Sequence, residues 1–477
     1  MPRSLLDPLL KAACIGFVKR YFALLIASLG ISSAVAEPKP NIIYINVDDL
    51  GWSDLGFQGS KYYETPHIDK FSKTGAVFTN AYAPAANCAP SRACCLTGQW
   101  SSRHGVYTVN NSDRGKPKTR KLIPTKNTLH IKNDNLTIAG ALKSAGYTTC
   151  HIGKWHVTKD PTQNGFDINI GGNQRGGPYT GGYHSPFKYP NCEQKEKGEY
   201  LTDRLTQEAI SFINKNKSKP FFLHLAYYTV HTPIQAKKEK VARFKKKSPT
   251  KAHSNPTYAA MISSLDDNIG KLMGHLKESG LLENTLIIFT SDNGGVWNIS
   301  KQWPLRAGKG AYYEGGIREP LVISWKGQIK EGQRIDTAVT GLDYFPTILA
   351  AVKVEKPKGK ILDGANILPL AQGKDVLTDR ALYWHFPIYL EGGNKECQDS
   401  IFRTRPGSAI RVGNWKLIEY FENGDLELYK LNKDPGEKQN LLNTFPSKAK
   451  ELQQMLIDWR KKTNAPVPTE LNPAFKK

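Results

Sequence analysis

The chain is short of acidic residues. Only 43 Asp and Glu stand against 66 Lys and Arg, a formal charge of +23 over 477 residues. An imbalance of that sign argues against basic partners and for polyanionic ones. Cysteine is scarce too, at seven residues. None forms a CxxC pair or clusters with histidine, which excludes a zinc-knuckle design. There is no internal repeat and no long low-complexity segment. No nucleic-acid module and no aromatic–basic interleaving is present, so the positive charge is not assigned to nucleic acid. The apolar run from Tyr21 to Ala36 is too short, and too rich in small residues at its end, for a stable membrane span.

What that run does resemble is an export signal. Arg3, Lys11, Lys19 and Arg20 precede it, and it ends Ala34-Val35-Ala36, a small-residue cleavage pattern. Residues 1–36 are expected to be removed near Ala36 and the rest exported to the periplasm or beyond. That leader holds four basic and one acidic residue, so its loss leaves +20. Basic residues concentrate in 114–126 and 237–251. Both stretches are expected near the site described below, although at least one is expected to be only a solvated face. Cys192 and Cys397, in polar loop-like segments, are the expected disulfide. Adjacent Cys94 and Cys95 read as packed thiols.

The remaining chain divides at 37–375 and 376–477. The first part alternates strands and helices, as in a large sheet covered on both faces. Its strands Pro40–Val47, Thr148–Ile152, Phe221–Tyr227 and Leu282–Thr290 each end in polar residues: Asp48-Asp49, Lys154-Trp155-His156, His231 and Asp292-Asn293. Loops beyond such strands are where open α/β sheets bind ligands. Singly, each of these is as compatible with a turn, a cap or a surface residue. Asp266-Asp267-Asn268 lies within the helix Thr257–Ser279, where consecutive residues diverge, and the three are not expected to share one ion. The second part reads as short antiparallel strands (Ala381–Phe386, Ser408–Val412, Trp415–Tyr420, Leu426–Leu431) with a Gly413-Asn414 hairpin turn and one closing helix, Ser447–Lys462.

The most informative stretch is Asn87–Gly98, Asn-Cys-Ala-Pro-Ser-Arg-Ala-Cys-Cys-Leu-Thr-Gly. Pro90 and Gly98 bracket a short helix, so Cys88 is expected just ahead of free N–H groups that favour an anion. Arg92, one turn on, can reach back to the same point. The physics gives a nucleophile or an anion site without choosing between them, and a buried or disulfide-bonded cysteine is the ordinary alternative.

Cys88-x-Pro90-Ser91-Arg92 with Thr97-Gly98 resembles the signature of the type I, formylglycine-dependent sulfatases of the alkaline-phosphatase-like superfamily. Gly153-Lys154-Trp155-His156, and Gly308-Lys309-Gly310 followed by Glu314 to Pro320, resemble further blocks of that family in family order; Ala307 stands where the family usually has glycine. The resemblance implies an α/β fold, a large mixed sheet flanked by helices on both faces plus a smaller C-terminal antiparallel sheet packed with one helix. It implies sulfate-ester hydrolysis through Cys88 oxidised to Cα-formylglycine by a maturation enzyme, and a covalent sulfo-enzyme intermediate. It also implies Asp48, Asp49, Asp292 and Asn293 as metal ligands with the modified Cys88, for Ca2+ first and Mg2+ second. Arg92, Lys154, His156, His231 and Lys309 are the implied catalytic residues, with His231 the acid for the leaving alcohol and His156 the base. Arg103, His104 and Arg306 are second-rank substrate-binding candidates, and Arg318 is expected to be structural. The charge suits a sulfated polysaccharide or oligosaccharide, with specificity expected in 171–192, 237–251 and 391–405. A phosphodiesterase or phosphonate hydrolase on the same fold is the nearest alternative, and a non-catalytic polyanion binder the more distant one.

Overall fold

The computed structural model describes residues 38–476 except 180, 375, 376, 378 and 379. The expected leader and the expected boundary at 375/376 lie outside the described residues. Strand β1 (Asn41–Val47) is buried along its whole length. Its side chains alternate, with Ile43, Ile45 and Val47 in one core and Ile42 and Tyr44 in another. A strand apolar on both faces requires cover on both. Helices Pro66–Ser72, Leu201–Asn216 and Pro256–Glu278 supply it on one face. Helices Cys88–Thr97, Ile138–Ser144 and Tyr344–Ala351 supply it on the other.

The sheet continues with β2 (Ala76–Tyr82), β3 (Thr148–Gly153), β4 (Ile168–Ile170), β5 (Phe221–Tyr227), β6 (Thr285–Ser291), β7 (Arg318–Ser324), β8 (Gln333–Ile335) and β9 (Val339–Thr340). The order is β4-β3-β5-β1-β6-β7-β2-β8, with β9 also on β2. Strands β3, β5, β1 and β6 are mutually parallel, β7 runs against β6, and β2 runs against β7. The carboxyl ends of β1, β2, β3, β5 and β6 therefore share one edge. Strand β7 was not legible because Pro320 interrupts it. In the structure Pro320 falls at a register shift against β2, where no ladder N–H is needed. The basic stretch 237–251 also holds an unforeseen helix, Lys238–Lys245.

A second sheet joins β10 (Ala381–Phe386), β13 (Gly407–Val412), β14 (Trp415–Tyr420) and β15 (Asp425–Lys430), all antiparallel, and β11 (Leu390–Glu391) pairs with β12 (Phe402–Thr404). Val412 faces Trp415 across the Gly413-Asn414 turn. One face of this sheet packs Leu382, Trp384 and Ile418 against Tyr82, Tyr312 and Tyr313. The other packs Ile410, Leu417 and Leu428 against Leu452, Leu456 and Trp459 of the helix Pro446–Thr463. Both faces are thus committed, and Pro40–Lys477 forms one compact unit. Truncating Leu456 to Ala in such a core would cost about 2–5 kcal/mol. Among the described residues no helix is long and apolar enough to cross a membrane.

The expected Cys192–Cys397 disulfide does not form. Both are free thiols, as are Cys88, Cys94, Cys95 and Cys150. Cys192 is packed in the core beneath the main sheet and Cys397 in the core between the two sheets. Their loops are polar, but the two thiols point into different apolar interiors, which sequence polarity could not convey.

Candidate active site

Five chain segments meet at the shared sheet edge. Strand β1 delivers Asp48 and Asp49, both buried, and Asp49 takes a left-handed backbone (φ 61°) that turns the chain sharply. The β1 and β5 ends are tied together, since Asp48 N donates to the Thr229 carbonyl at 3.0 Å and Val230 N to the Asp48 carbonyl at 2.7 Å. Beyond β6, Asp292 Oδ1 accepts from Asp49 N at 3.2 Å, and Asn293 Nδ2 donates to Asp49 Oδ1 at 2.9 Å. After β2 the helix starts at Cys88 itself rather than just beyond it, with Asn87 at the cap. Pro90 still falls within the first turn, where a missing N–H costs nothing. The Cys88 sulfur lies 3.7 Å from Asp48 Oδ1 and 3.9 Å from Asp49 Oδ1.

Three cations answer the three carboxylates. Lys154 Nζ is 2.6 Å from both oxygens of Asp48. Trp155 is buried in the apolar core, which anchors the Lys154 and His156 positions on either side of it. Arg92 Nε donates to Asp292 Oδ2 at 2.8 Å and NH1 to the Lys154 carbonyl at 2.9 Å, so one guanidinium joins the β3 and β6 loops. Lys309 Nζ sits 2.6 and 2.8 Å from the Asp49 oxygens. Its backbone is pinned on both sides: Lys309 N donates to Gly295 O at 2.9 Å, and Gly310 N to Ala86 O at 2.7 Å. This requires close backbone crossings, and a Cβ on Gly316 would run into the Ala311 carbonyl. Ala307, the departure from the family glycine, has φ 60°, the conformation for which glycine is the usual residue.

Two imidazoles complete the group. His231 Nδ1 lies 2.6 Å from the Thr232 carbonyl, which can only accept, so Nδ1 carries the hydrogen and Nε2 is left facing Asp49 Oδ2 at 3.8 Å. Burial, with Lys154 next, pushes His231 down to about 3 despite Asp49. Burial and then the Lys154, Arg92 and Lys309 charges push His156 well below its usual range, and its Nδ1 is buried without a partner. Both rings are therefore neutral at pH 7. Burial likewise pushes the Cys88 thiol up to about 12, so as a plain cysteine it is a poor nucleophile.

The residues fit an oxygen-ligated divalent cation. Burial drives Asp48 up to about 8, and Asp292 and Asp49 add to that push while Lys154 opposes it. Carboxylates crowded this closely repel one another, and a dication relieves that repulsion. Ligand atoms of Asp48, Cys88 and Asp292 lie within 4.8 Å of one another. Asn293 Oδ1, also buried, has no hydrogen-bond partner. Leaving aside the Cys88 sulfur, the carboxylate and amide oxygens suit Ca2+ or Mg2+.

A cleft of about 770 Å³ opens over the group, lined by Asp49, Cys88, His156, His231 and Lys309. The three second-rank candidates fold elsewhere and do not line it. Arg103 is forked onto Asp363 at 2.7–2.9 Å. His104 is half-buried between Cys94 Sγ and Val106 N. Arg306 is spent on the Glu396 and Glu437 carbonyls and stacks 3.7 Å over Tyr313. Each lies beside a site motif in sequence, but its partners come from remote loops. Arg318 donates to the Thr79 carbonyl and holds β2 to β7.

No residue of 237–251 lines the cleft. Lys237, Lys240 and Lys247 are paired with Asp203, Asp267 and Glu64. Asp266 and Asp267 do converge with His67. Asp266, however, accepts the N–H groups of His67 and Ile68 as a helix cap, and Asn268 turns away to Asp203. The cleft wall contains Arg114, Arg175, Tyr179 and Arg403, which sequence reasoning located only as stretches. Asn110 and His130, also in the wall, left no signal in the sequence.

The sulfatase family profile matches residues 40–354, and that of the C-terminal part of N-sulphoglucosamine sulphohydrolase matches residues 308–463. The chain is 32% identical to a sulfatase of Formosa agariphila over 93% of each chain. It is 31% identical to human N-acetylgalactosamine-6-sulfatase over 75% of this chain and 70% of that one. Among solved structures, Ps i-CgsB in complex with k-i-k-neocarrahexaose is similar at a TM-score of 0.73 and 31% identity, covering 88% of this chain and 92% of that one. With the family profile spanning more than half of the chain, the protein belongs to the sulfatase family of the alkaline-phosphatase-like superfamily and is a sulfuric ester hydrolase.

Proposed function

We propose that the protein removes sulfate esters from a sulfated saccharide, with Cys88 converted to Cα-formylglycine by a maturation enzyme. The carrying observation is the meeting of Cys88 with three carboxylates, three cations and two neutral imidazoles at the floor of one cleft. The saccharide is supported by the basic chain and by Tyr179, 61% exposed at the cleft and able to present an aromatic face to a sugar. The oligosaccharide named with Ps i-CgsB agrees with that reading. Residues 1–36 would export the protein to the periplasm or beyond.

Asp48, Asp49, Asp292 and Asn293 would hold a divalent ion, Ca2+ before Mg2+. Once bound, it would draw charge off a sulfate oxygen and fix the position of the attacking group. Lys154 and Lys309 set positive charge where a tetrahedral anion gains negative charge. Arg92 keeps Asp292 and the Lys154 loop in register. Once substrate is bound and Nε2 has taken a proton from solvent, His231 passes that proton to the leaving alcohol oxygen, with Lys309 assisting. An anionic ester beside it offsets the lysine charges and lifts this imidazole toward its ordinary range. His156, held neutral, takes the proton of the second hydroxyl at position 88 so that sulfate can depart.

Intact-peptide mass spectrometry across Cys88, on protein from its own host, tests the first half. The expected result is the mass loss for exchange of a thiol for an aldehyde, and an unaltered sulfhydryl overturns it. A desulfation panel on galactans, glycosaminoglycans and fucans tests the second, with one strong substrate expected. Faster turnover of matched phosphate esters than of sulfate esters would overturn the assignment of the natural substrate.

A further inference from the structure

We propose that Arg175 and Arg403 form a second anion subsite, which takes another sulfate or a carboxylate of the same saccharide that presents its ester to the catalytic group. The inference rests on the proposed saccharide substrate and adds a charge requirement to it. The charged lining of the cleft is lopsided, with Arg114, Arg175, Lys309 and Arg403 against Asp49 alone. Asp49 is already bonded through both oxygens to Lys309. Arg114 is spent on Glu391, Nε at 3.0 Å and NH2 at 2.7 Å from the same oxygen.

Arg175 and Arg403 are different. Among the described residues neither forms an ion pair with a carboxylate within 4 Å, although the Arg403 charge does reach Glu391, which Arg114 already holds. Arg403 makes only long bonds to carbonyl oxygens, Nε to Gly392 at 3.2 Å and NH1 to Lys309 at 3.4 Å. Arg175 is held through its backbone N–H, which donates to Asn173 Oδ1 at 2.8 Å, and its guanidinium is exposed. Elsewhere six arginines, Arg92, Arg103, Arg204, Arg380, Arg405 and Arg460, face carboxylates, and Arg306 is spent on carbonyls away from the cleft.

Both guanidiniums are also tied to the chemistry by position. Arg403 reaches the Lys309 carbonyl, and its stem lies over Gly310. Arg175 precedes Gly176, whose Cα carries the loop against the His156 ring. The ester's own charge is answered on the cleft floor by Lys309, with Lys154 buried beneath on Asp48, which leaves the arginine pair for a second acidic group. A guanidinium fork matches sulfate and carboxylate oxygens alike.

The test uses the full-length converted enzyme and three disaccharide probes: a monosulfate, the same sugar with a second sulfate on the neighbouring residue, and the same sugar with a uronate neighbour. The expected result is a kcat/KM preference of about 10-fold or more for a doubly charged probe, carried by KM and weakened by salt. Which doubly charged probe wins distinguishes sulfate from carboxylate. In the double variant Arg175→Gln/Arg403→Gln the preference falls to about one. Lys238→Gln, which removes a charge away from the cleft, leaves the preference as it was. Turnover with no preference in the wild type, or a preference that survives the double variant, overturns the subsite. Calorimetric binding of the same probes to the unconverted Cys88 protein separates this from the proposed function. A binding preference that depends on the two arginines, with no turnover by converted enzyme, upholds the subsite and overturns the saccharide sulfatase reading. Equal binding of all three probes, or none, overturns the subsite directly.

Discussion

Of two buried charge clusters among the described residues, one underlies the cleft and the other does not. In the second, Lys416 Nζ sits 3.0 Å from Glu314 and 2.8 Å from Glu437, all three fully buried. Glu314 also accepts from Tyr82 at 2.6 Å, and its backbone N–H donates to Glu437 at 2.6 Å. That cluster joins the helix Glu314–Ile317 to β14 and to the loop after β15, and none of its side chains lines the cleft. At the active site the same residue types lie under an open cleft, with Asn293 Oδ1 and His156 Nδ1 buried and unpartnered. Unusual backbone does not separate the two, since Glu437 has φ 48° and Asp49 and His156 have φ 61° and 62°. Glu437 Oε1 also lacks a hydrogen bond but is ion-paired with Lys416 and away from the cleft, so what separates the two is the accessible space beside the unspent groups. Buried charge alone marks rigidity as readily as chemistry.

The difference can be broken at either cluster. Lys416→Met leaves two buried carboxylates without their cation and should cost about 3–5 kcal/mol of stability, read from urea denaturation. The folded fraction should keep its kcat. Lys309→Met should do the reverse. Removing one fixed cation from the floor of the cleft should lower kcat by about 10²–10³-fold. The urea midpoint should move far less, because Asp49 keeps its bonds to Asn293 and Asp292. If the Lys309 variant unfolds while the Lys416 variant folds but turns over slowly, the two clusters have been assigned the wrong way round.

The structural cluster was invisible in the sequence, and the reason is physical. Glu314 opens a family block, Lys416 sits in a strand and Glu437 in a loop, but none of the three hints at its partners, and only the docking of the second sheet brings them together. The positions delivered to the active site were legible because β1, β3, β5 and β6 are parallel strands whose ends share one edge, so strand periodicity already located their loops. The same logic failed for Arg103, His104 and Arg306, which are near the site in sequence but are claimed by Asp363, Cys94 and Tyr313. It failed again for Cys192 and Cys397, where loop polarity said nothing about where a thiol points. The stretch 171–192 was legible as one expected to set specificity, but its contact with both imidazoles was not. A Cβ on Gly177 would lie 2.8 Å from His231 Cε1, and one on Gly176 would lie 2.5 Å from His156 Cε1.

That contact gives a weaker test of the active-site half of the comparison. Gly176→Ala forces the His156 ring or the loop to shift, since a methyl cannot sit 2.5–3.1 Å from three ring atoms. Misplacing a proton-transfer group by a fraction of an ångström should lower kcat by about 10-fold or more. KM should change little, and the limb of the pH–rate profile that reports the base should shift. A large loss of stability with an unchanged profile would make this glycine a packing residue only.

The smallest expected effect compares two neutral histidines, one in each half. His385 is buried beside the second sheet with both ring nitrogens satisfied, Nδ1 2.8 Å from Ser408 Oγ and Nε2 2.9 Å from the Pro466 carbonyl. Burial pushes it down to about 3, as it does His231. An unfolded histidine titrates at about 6.5. Above that pH neither state of His385 binds a proton, and its neutral form contributes fully to stability. As pH falls below about 6.5 the unfolded chain takes up a proton that the folded chain refuses, so this stability is lost at about 1.4 kcal/mol per pH unit until the folded value is reached. His385→Gln removes that linkage. Its urea midpoint should start lower at pH 7 but fall less steeply with acid than the wild type. His231→Gln should flatten the acid slope in the same way without inorganic sulfate. With sulfate bound, the wild-type His231 lies nearer its ordinary range, and its share of the slope should shrink while that of His385 stays. Equal responses of the two variants to sulfate would mean that the His231 ring is sealed from the cleft as fully as the structural histidine is.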